Sequence, residues 1–144
     1  MLASATRLCD AKFASLLLSE GGQLRRVSVH NVPAALAGHW KRTPLVRPNP
    51  QSALGRASLT KQVAQIDDYR TGPAYLARDP LVVAGFELGG YRAALAVPML
   101  KDEVLVGVIV IYRQEVGPFT SKQMSRALVR RVMPLAPARR SYAP

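Results

Sequence analysis

Apolar positions in this 144-residue chain gather most densely between Ala93 and Arg113. Two apolar runs, Ala93 to Leu100 and Val104 to Tyr112, flank the charged triplet Lys101-Asp102-Glu103, a pattern that predicts two strands joined by a tight turn. The second run is apolar at nearly every position and rich in β-branched residues, so it suits a strand covered on both faces. Pro98 cannot donate to a ladder and predicts a bulge or an edge. Upstream, Phe13 to Leu18 reads as a strand, Glu20-Gly21-Gly22 as a turn, and Leu24 to His30 as the second strand of a hairpin. In that second strand Val27 and Val29 alternate with Arg26, Ser28 and His30. The alternation predicts buried valines and an opposite face that is wet or lines a cavity.

The remaining segments read as helices and irregular connections. Asn31 and Pro33 predict the cap and first turn of a helix through about Trp40. Pro44, Pro48 and Pro50 make residues 43–51 irregular. Ser52 predicts the cap of a short helix to about Thr60, followed by a strand from Val63 to Ile66 that ends at Asp67-Asp68. Residues 69–90 read as an excursion with helix starts at Pro73 and Asp79-Pro80, the second stopped by Gly89-Gly90. Met1 to Cys9 can form a short helix. Thr120 can cap a last helix in which Met124, Leu128 and Val132 recur every four residues. Antiparallel strands with helices collected on one side make this an α+β layer arrangement.

Composition narrows the class. About half the residues are apolar, a globular composition for one domain with one core. The longest apolar run, Val104 to Tyr112, is half of the roughly 20 residues a membrane-spanning helix needs. Arg7, Asp10 and Lys12 interrupt the N-terminus, so it does not read as a secretory signal. The single cysteine, Cys9, cannot form an internal disulfide, and a cytoplasmic setting is the expectation. The formal net charge is +11, but residues 121–144 supply six basic side chains and no acid. The rest of the chain carries 14 basic against 9 acidic side chains, spread along its length. A basic tail on a modestly basic domain is a weak nucleic-acid footprint, so nucleic acid is not the expected partner.

Three pieces together resemble a known family: Ala11 to Leu18 as first strand, Leu54 to Asp68 as middle helix and strand, and the 93–113 hairpin with its apolar-Pro-apolar end and Gly107. Phe119 and Thr120 then stand where the final helix begins. Over residues 1–123 the chain is similar to a GAF domain, particularly those of bacterial multidomain sensor histidine kinases and related signalling proteins. The resemblance implies a six-stranded antiparallel sheet with the terminal helices on one face and a small-molecule pocket on the other. It implies a regulatory, usually dimeric module of two-component or related signal transduction, partnered by a small ligand, a second copy or a larger sensor. Catalysis in such proteins resides in a separate domain, so neither enzyme activity nor a cofactor is expected here. The alternative is a dimerisation module whose pocket is filled.

Departures from better-known subtypes narrow the ligand. Cyclic-nucleotide-binding members carry an Asn-Lys pair after the last strand, then a Phe followed four and five residues later by Asp-Glu. Here Tyr112-Arg113 stand for the pair and Gln123-Met124 for the acids, with Phe119 retained. Methionine-sulfoxide-reducing members need several cysteines, and bilin-binding members need one in the pocket; Cys9 reads as a small core residue of the first helix. His30 and His39 have no further ligand at metal-binding spacing. Asp67-Asp68 read as a strand-ending turn. No serine has a triad context and no glycine-rich phosphate loop occurs. For the pocket implied by the resemblance, the aromatic residues of the excursions are the candidates: Trp40, Tyr69, Tyr75, Phe86 and Tyr91, with Arg92 as the charge for an anionic ligand. The competing expectation is that these rings fill the space themselves.

The C-terminal segment departs from the rest. Half of residues 121–144 are Arg, Ala or Pro, and Pro134 and Pro137 would stop a long helix. Residues 124–144 are therefore set apart as a divergent basic tail: its composition is that of a frameshifted or truncated reading of a larger sensor, and the alternative is a short native helix followed by a disordered basic tail.

Overall fold

The densest apolar segment becomes the middle of a sheet. The structure, a computed structural model, describes Thr6 and residues 11–130, with side chains through Ser125. Six strands, β1 (Phe13–Glu20), β2 (Gln23–His30), β3 (Leu45–Val46), β4 (Ala64–Ile66), β5 (Ala93–Lys101) and β6 (Val104–Arg113), form one sheet in the order β3-β2-β1-β6-β5-β4. Every pairing is antiparallel. Among the described residues lie the helices α1 (Ala34–Arg42), α2 (Ala53–Thr60), α3 (Pro73–Leu76), α4 (Pro80–Gly89) and α5 (Ser121–Arg130), with a 3-10 turn at Tyr69–Thr71.

Two hairpins set the register. Gly21 and Gly22 have φ of +58° and +84°, and Asp102 and Glu103 have φ of +52° and +66°. Two consecutive left-handed residues match the twist of the strands they join, which is why both loops are so short. Pro98 pairs with Val108, beyond the last β4 partner at Ala96 and just before a register shift between Met99 and Leu100. Its missing donor thus falls where the β4 ladder has already ended.

The period of two divides β6 between two cores. Val108, Val110 and Tyr112 join Leu17, Leu24, Ala94 and Ala96 beneath the helices, while Ile109 and Ile111 join Leu16, Leu95, Val97, Met99 and Phe119 on the rear face. Both faces of Gly107–Tyr112 are covered, as an unbroken apolar run requires. Val104 is exposed, because the hairpin tip extends past the covering layers.

Helices α1 to α4 contribute Leu36, Trp40, Leu54, Ala57, Ala74 and Val82 to the front core. Ser52 caps α2 by accepting from the Gly55 N–H at 3.0 Å. Asp79 caps α4 by accepting from the Leu81 N–H at 2.8 Å, and left-handed Gly90 ends that helix. Thr120 and Gln123 form a reciprocal capping box at α5, with Thr120 Oγ1 accepting from the Gln123 N–H at 3.1 Å and Gln123 Oε1 from the Thr120 N–H at 2.8 Å. Met124 then packs on the rear core.

Three expectations need correction. Val27 and Val29 are 37% and 43% exposed, not buried. Leu16 pairs with Ser28 but Leu17 pairs with Arg26, so Val27 is the extra residue of a bulge and the facing of the strand changes there. Asn31 does not cap α1; it takes a left-handed φ of +61° and its side-chain amide donates to the Lys12 carbonyl, leaving Pro33 at the cap. The proline-rich connection includes β3, which pairs with Leu24 and Arg25. The expected helix at Met1–Cys9, the placement of Cys9, the docking of Leu128 and Val132, and the tail beyond Arg130 lie outside the described residues or side chains.

Candidate functional site

Arg26 pairs with Leu17 and stands two residues from buried Leu24, so it faces the front core just before the bulge at Val27. The Arg26 backbone N–H donates to the Pro44 carbonyl at 2.9 Å, and its guanidinium carbon lies 3.7 Å from the centroid of the Trp40 ring of α1. Nε, Nη1 and Nη2 are all buried, and none has a hydrogen-bond partner of good geometry. Burial pulls this guanidinium below its ordinary pKa, and the nearby phenols of Tyr112, Tyr69 and Tyr91 offset part of that effect.

An aromatic series continues inward from Trp40. Its ring lies 6.0 Å from that of Tyr112, which stacks on Tyr91 at 4.3 Å and 12°, and Tyr91 meets Phe13 at 5.3 Å. The Tyr112 hydroxyl and Ser15 Oγ hydrogen-bond at 2.9 Å in the buried sheet. Trp40 Nε1 and the Tyr91 hydroxyl are buried without a partner. Burial raises the Tyr69 and Tyr91 hydroxyls above the usual phenol range, so both are neutral donors at physiological pH.

Three spaces surround this series. An inner cavity of about 30 Å³ lies between the sheet and the helices, bounded by Trp40, Tyr69, Tyr75, Leu54, Val110 and Tyr112. Two outer grooves of about 320 and 360 Å³ are lined by Arg26 and Trp40; the first runs between β2 and α1, and the second passes Val46, Arg47 and Asp79. Trp40 borders all three.

The candidates named from the sequence are distributed unevenly. Trp40, Tyr69 and Tyr75 share the wall of the inner cavity, and Phe86 meets Tyr75 edge-on at 5.4 Å. Tyr91 lies deeper, against Tyr112. Arg92 points instead to Asp68, with Nη2 3.1 Å from Oδ1, and the same carboxylate oxygen accepts from the Arg70 N–H. Arg26, Ser15 and Tyr112 belong to the cluster but were not candidates. Arg26 lies in an alternation that assigns it to the face opposite the valines, wet or cavity-lining, and nothing in the residues themselves signals its stacking on Trp40.

Among the described residues no group of three or more His, Cys, Asp or Glu side chains is placed to hold a metal ion. No helix among them is long and apolar enough to cross a membrane.

No curated protein matches this sequence. The fold is similar to that of a type II free methionine-R-sulfoxide reductase from Thermoplasma acidophilum, with a TM-score of 0.69 and 15% identity over 99% of this chain and 90% of that one. It is similar to the GAF domain of a phosphoenolpyruvate-protein phosphotransferase from Coxiella burnetii, with a TM-score of 0.70 and 18% identity over 96% and 81%. A domain assigned to a two-component sensor histidine kinase of Sinorhizobium meliloti gives a TM-score of 0.68 and 18% identity over 96% and 92%. At such identities these likenesses concern the fold. The GAF domain family model matches residues 1–133, and the chain belongs to the GAF domain family.

Proposed function

We propose that this GAF domain is a non-catalytic sensory module of signal transduction that responds to a small molecule within a sensor of the histidine kinase type. The observation that carries this reading is the gathering of unpaired buried donors, Trp40 Nε1, the Tyr91 hydroxyl and the Arg26 guanidinium, on one face of the sheet. Each buried polar group without a partner destabilises a fold by about 1–3 kcal/mol. Two of them, Trp40 and Arg26, line open grooves, as the donors of a binding site do before its ligand supplies the acceptors. The solitary cysteine in the sequence argues against thiol-exchange chemistry of the methionine-sulfoxide-reducing kind. A cytoplasmic setting fits this role.

A second reading, a dimerisation module with a filled pocket, is favoured by the size of the inner cavity, about 30 Å³. Thermal unfolding of the full chain against a panel of neutral, cationic and anionic metabolites separates the two. A saturable rise of several degrees with one chemical class supports the sensor. No response from any class, together with concentration-dependent dimerisation in sedimentation, supports the filled module.

A further inference from the structure

Arg26 is a buried cation without a counter-charge. Among the described residues the ion pairs are Arg25–Glu20 and Arg92–Asp68, and neither reaches it. Of the ionisable side chains lining the two grooves beside Arg26, Lys41, Arg47 and His39 are basic and Asp79 is the acid. Asp79 is already committed: Oδ1 accepts from the Leu81 N–H and Oδ2 from the Asn49 side-chain amide. The neighbouring buried groups without partners, Trp40 Nε1 and the Tyr91 hydroxyl, can both donate.

A fold gains nothing from enclosing an unpaired guanidinium, since loss of hydration outweighs a single cation–π contact. The arrangement has surplus positive charge and surplus donors, and the complement of both is an anion rich in acceptors. A cationic ligand would meet repulsion from Arg26, and an apolar one would leave every donor unmet. The planar guanidinium matches a pair of oxygens held in one plane, which a carboxylate presents. Arg26 and Trp40 line both grooves, and Trp40 also borders the inner cavity, so the stacked pair is the partition that an incoming ligand meets.

We propose that Arg26 is the recognition residue for a small anion bearing a planar carboxylate-type group, admitted through the basic groove between β2 and α1. This rests on the reading of the domain as a ligand-responsive module and adds the chemical class of the ligand. The planar oxygen group could be carried by a carboxylic acid or by a trigonal inorganic oxyanion.

Trp40 is the single tryptophan of the chain, so its fluorescence reports directly on the stacked pair. The experiment titrates the full chain with sodium formate, acetate and propionate at constant ionic strength, with chloride as the reference, and follows Trp40 emission and the thermal midpoint. Sodium nitrate, followed by the thermal midpoint alone, tests the inorganic source. The expected result is a saturable emission change and a rise of about 5 °C or more at 100-fold excess over half-saturation. Carboxylates acting and nitrate not acting assigns an organic ligand; the reverse assigns an inorganic one.

Arg26→Met should abolish the response while its midpoint in chloride stays level or rises, because an unpaired buried charge has been removed. Arg26→Lys retains the charge without the planar fork and should weaken binding at least about tenfold, the equivalent of one lost charge-assisted hydrogen bond. It also serves as the test if the Met variant does not fold. An undiminished anion response in either variant overturns the assignment to Arg26. Stabilisation by a neutral compound and by none of the anions overturns the ligand class and leaves the sensory reading standing. Stabilisation by nothing overturns both.

Discussion

Gly55, in the first turn of α2, lies directly against the backbone of Asn49: a Cβ at Gly55 would stand 1.9 Å from the Asn49 carbonyl oxygen. That carbonyl accepts from the Ser52 N–H at 3.0 Å and from Ser52 Oγ at 2.9 Å, while the Asn49 side chain reaches the Gln51 N–H and Asp79. One residue of the proline-rich connection thus anchors the start of α2 and, through Asp79, the start of α4. Both helices contribute to the wall of the inner cavity.

Gly55→Ala should therefore be severe despite adding one methyl group. The obstruction is backbone, which cannot rotate away, and the expected loss is at least about 3 kcal/mol. Chemical denaturation measures it, and a loss below 1 kcal/mol would mean that the connection yields.

Asp79→Ala removes the cap of α4 and the partner of Asn49 together. The expected destabilisation is about 1–2 kcal/mol. Because Asn49 also holds α2, Asn49→Ala and the double variant should be less than additive in the same denaturation experiment.

The hydrogen bond between Ser15 and Tyr112 predicts a thermodynamic cycle. Ser15→Ala and Tyr112→Phe each strand one buried hydroxyl, at about 1–3 kcal/mol. The double variant removes both and should regain much of that loss, giving a coupling energy of about 1 kcal/mol.

The buried phenols make stability depend on alkali. Tyr69 and Tyr91 have folded pKa values above the ordinary 10.0, with burial the main cause in each. Below about pH 10 both states hold the proton and the contribution is constant. Above it the unfolded chain releases protons that the folded chain keeps, so stability falls as pH rises, by up to about 1.4 kcal/mol per pH unit for each tyrosine. Denaturation between pH 9 and 11 should show this slope, and Tyr69→Phe should reduce it by about half.

On the rear face, Phe119 is buried with the Arg113 guanidinium 3.9 Å from its ring centroid, and its N–H donates to Gln65 Oε1 at 2.9 Å. Phe119→Ala should destabilise by about 3–5 kcal/mol. Met124→Ala, at a half-buried site on the same core, should cost less in parallel thermal unfolding.

The sequence by itself determined most of the local structure and the layering. Proline, serine, aspartate and glycine act within a few residues of where they stand, so Ser52, Asp79, Gly90 and Thr120 mark helix ends that the structure contains. The unbroken apolar run of β6 likewise required cover on both faces, because burial is a property of the side chains themselves. Trp40, Tyr69 and Tyr91 could be named for the same reason, since large rings in excursions over a sheet must be buried somewhere, whereas Tyr112 and Phe13 are rings of the strands themselves.

What only the tertiary structure decided is where the charges went. Arg92 had the sequence context of a pocket charge but meets Asp68, twenty-four residues away. Arg26 belonged to a strand face read as either wet or cavity-lining, and its pairing with Leu17 beside buried Leu24 sets it under Trp40. A pairing is a relation between two strands, and the residues of either strand alone do not encode it. The chemistry of the candidate site follows from the meeting of Arg26 and Trp40, which exists only once β2 and α1 are packed together.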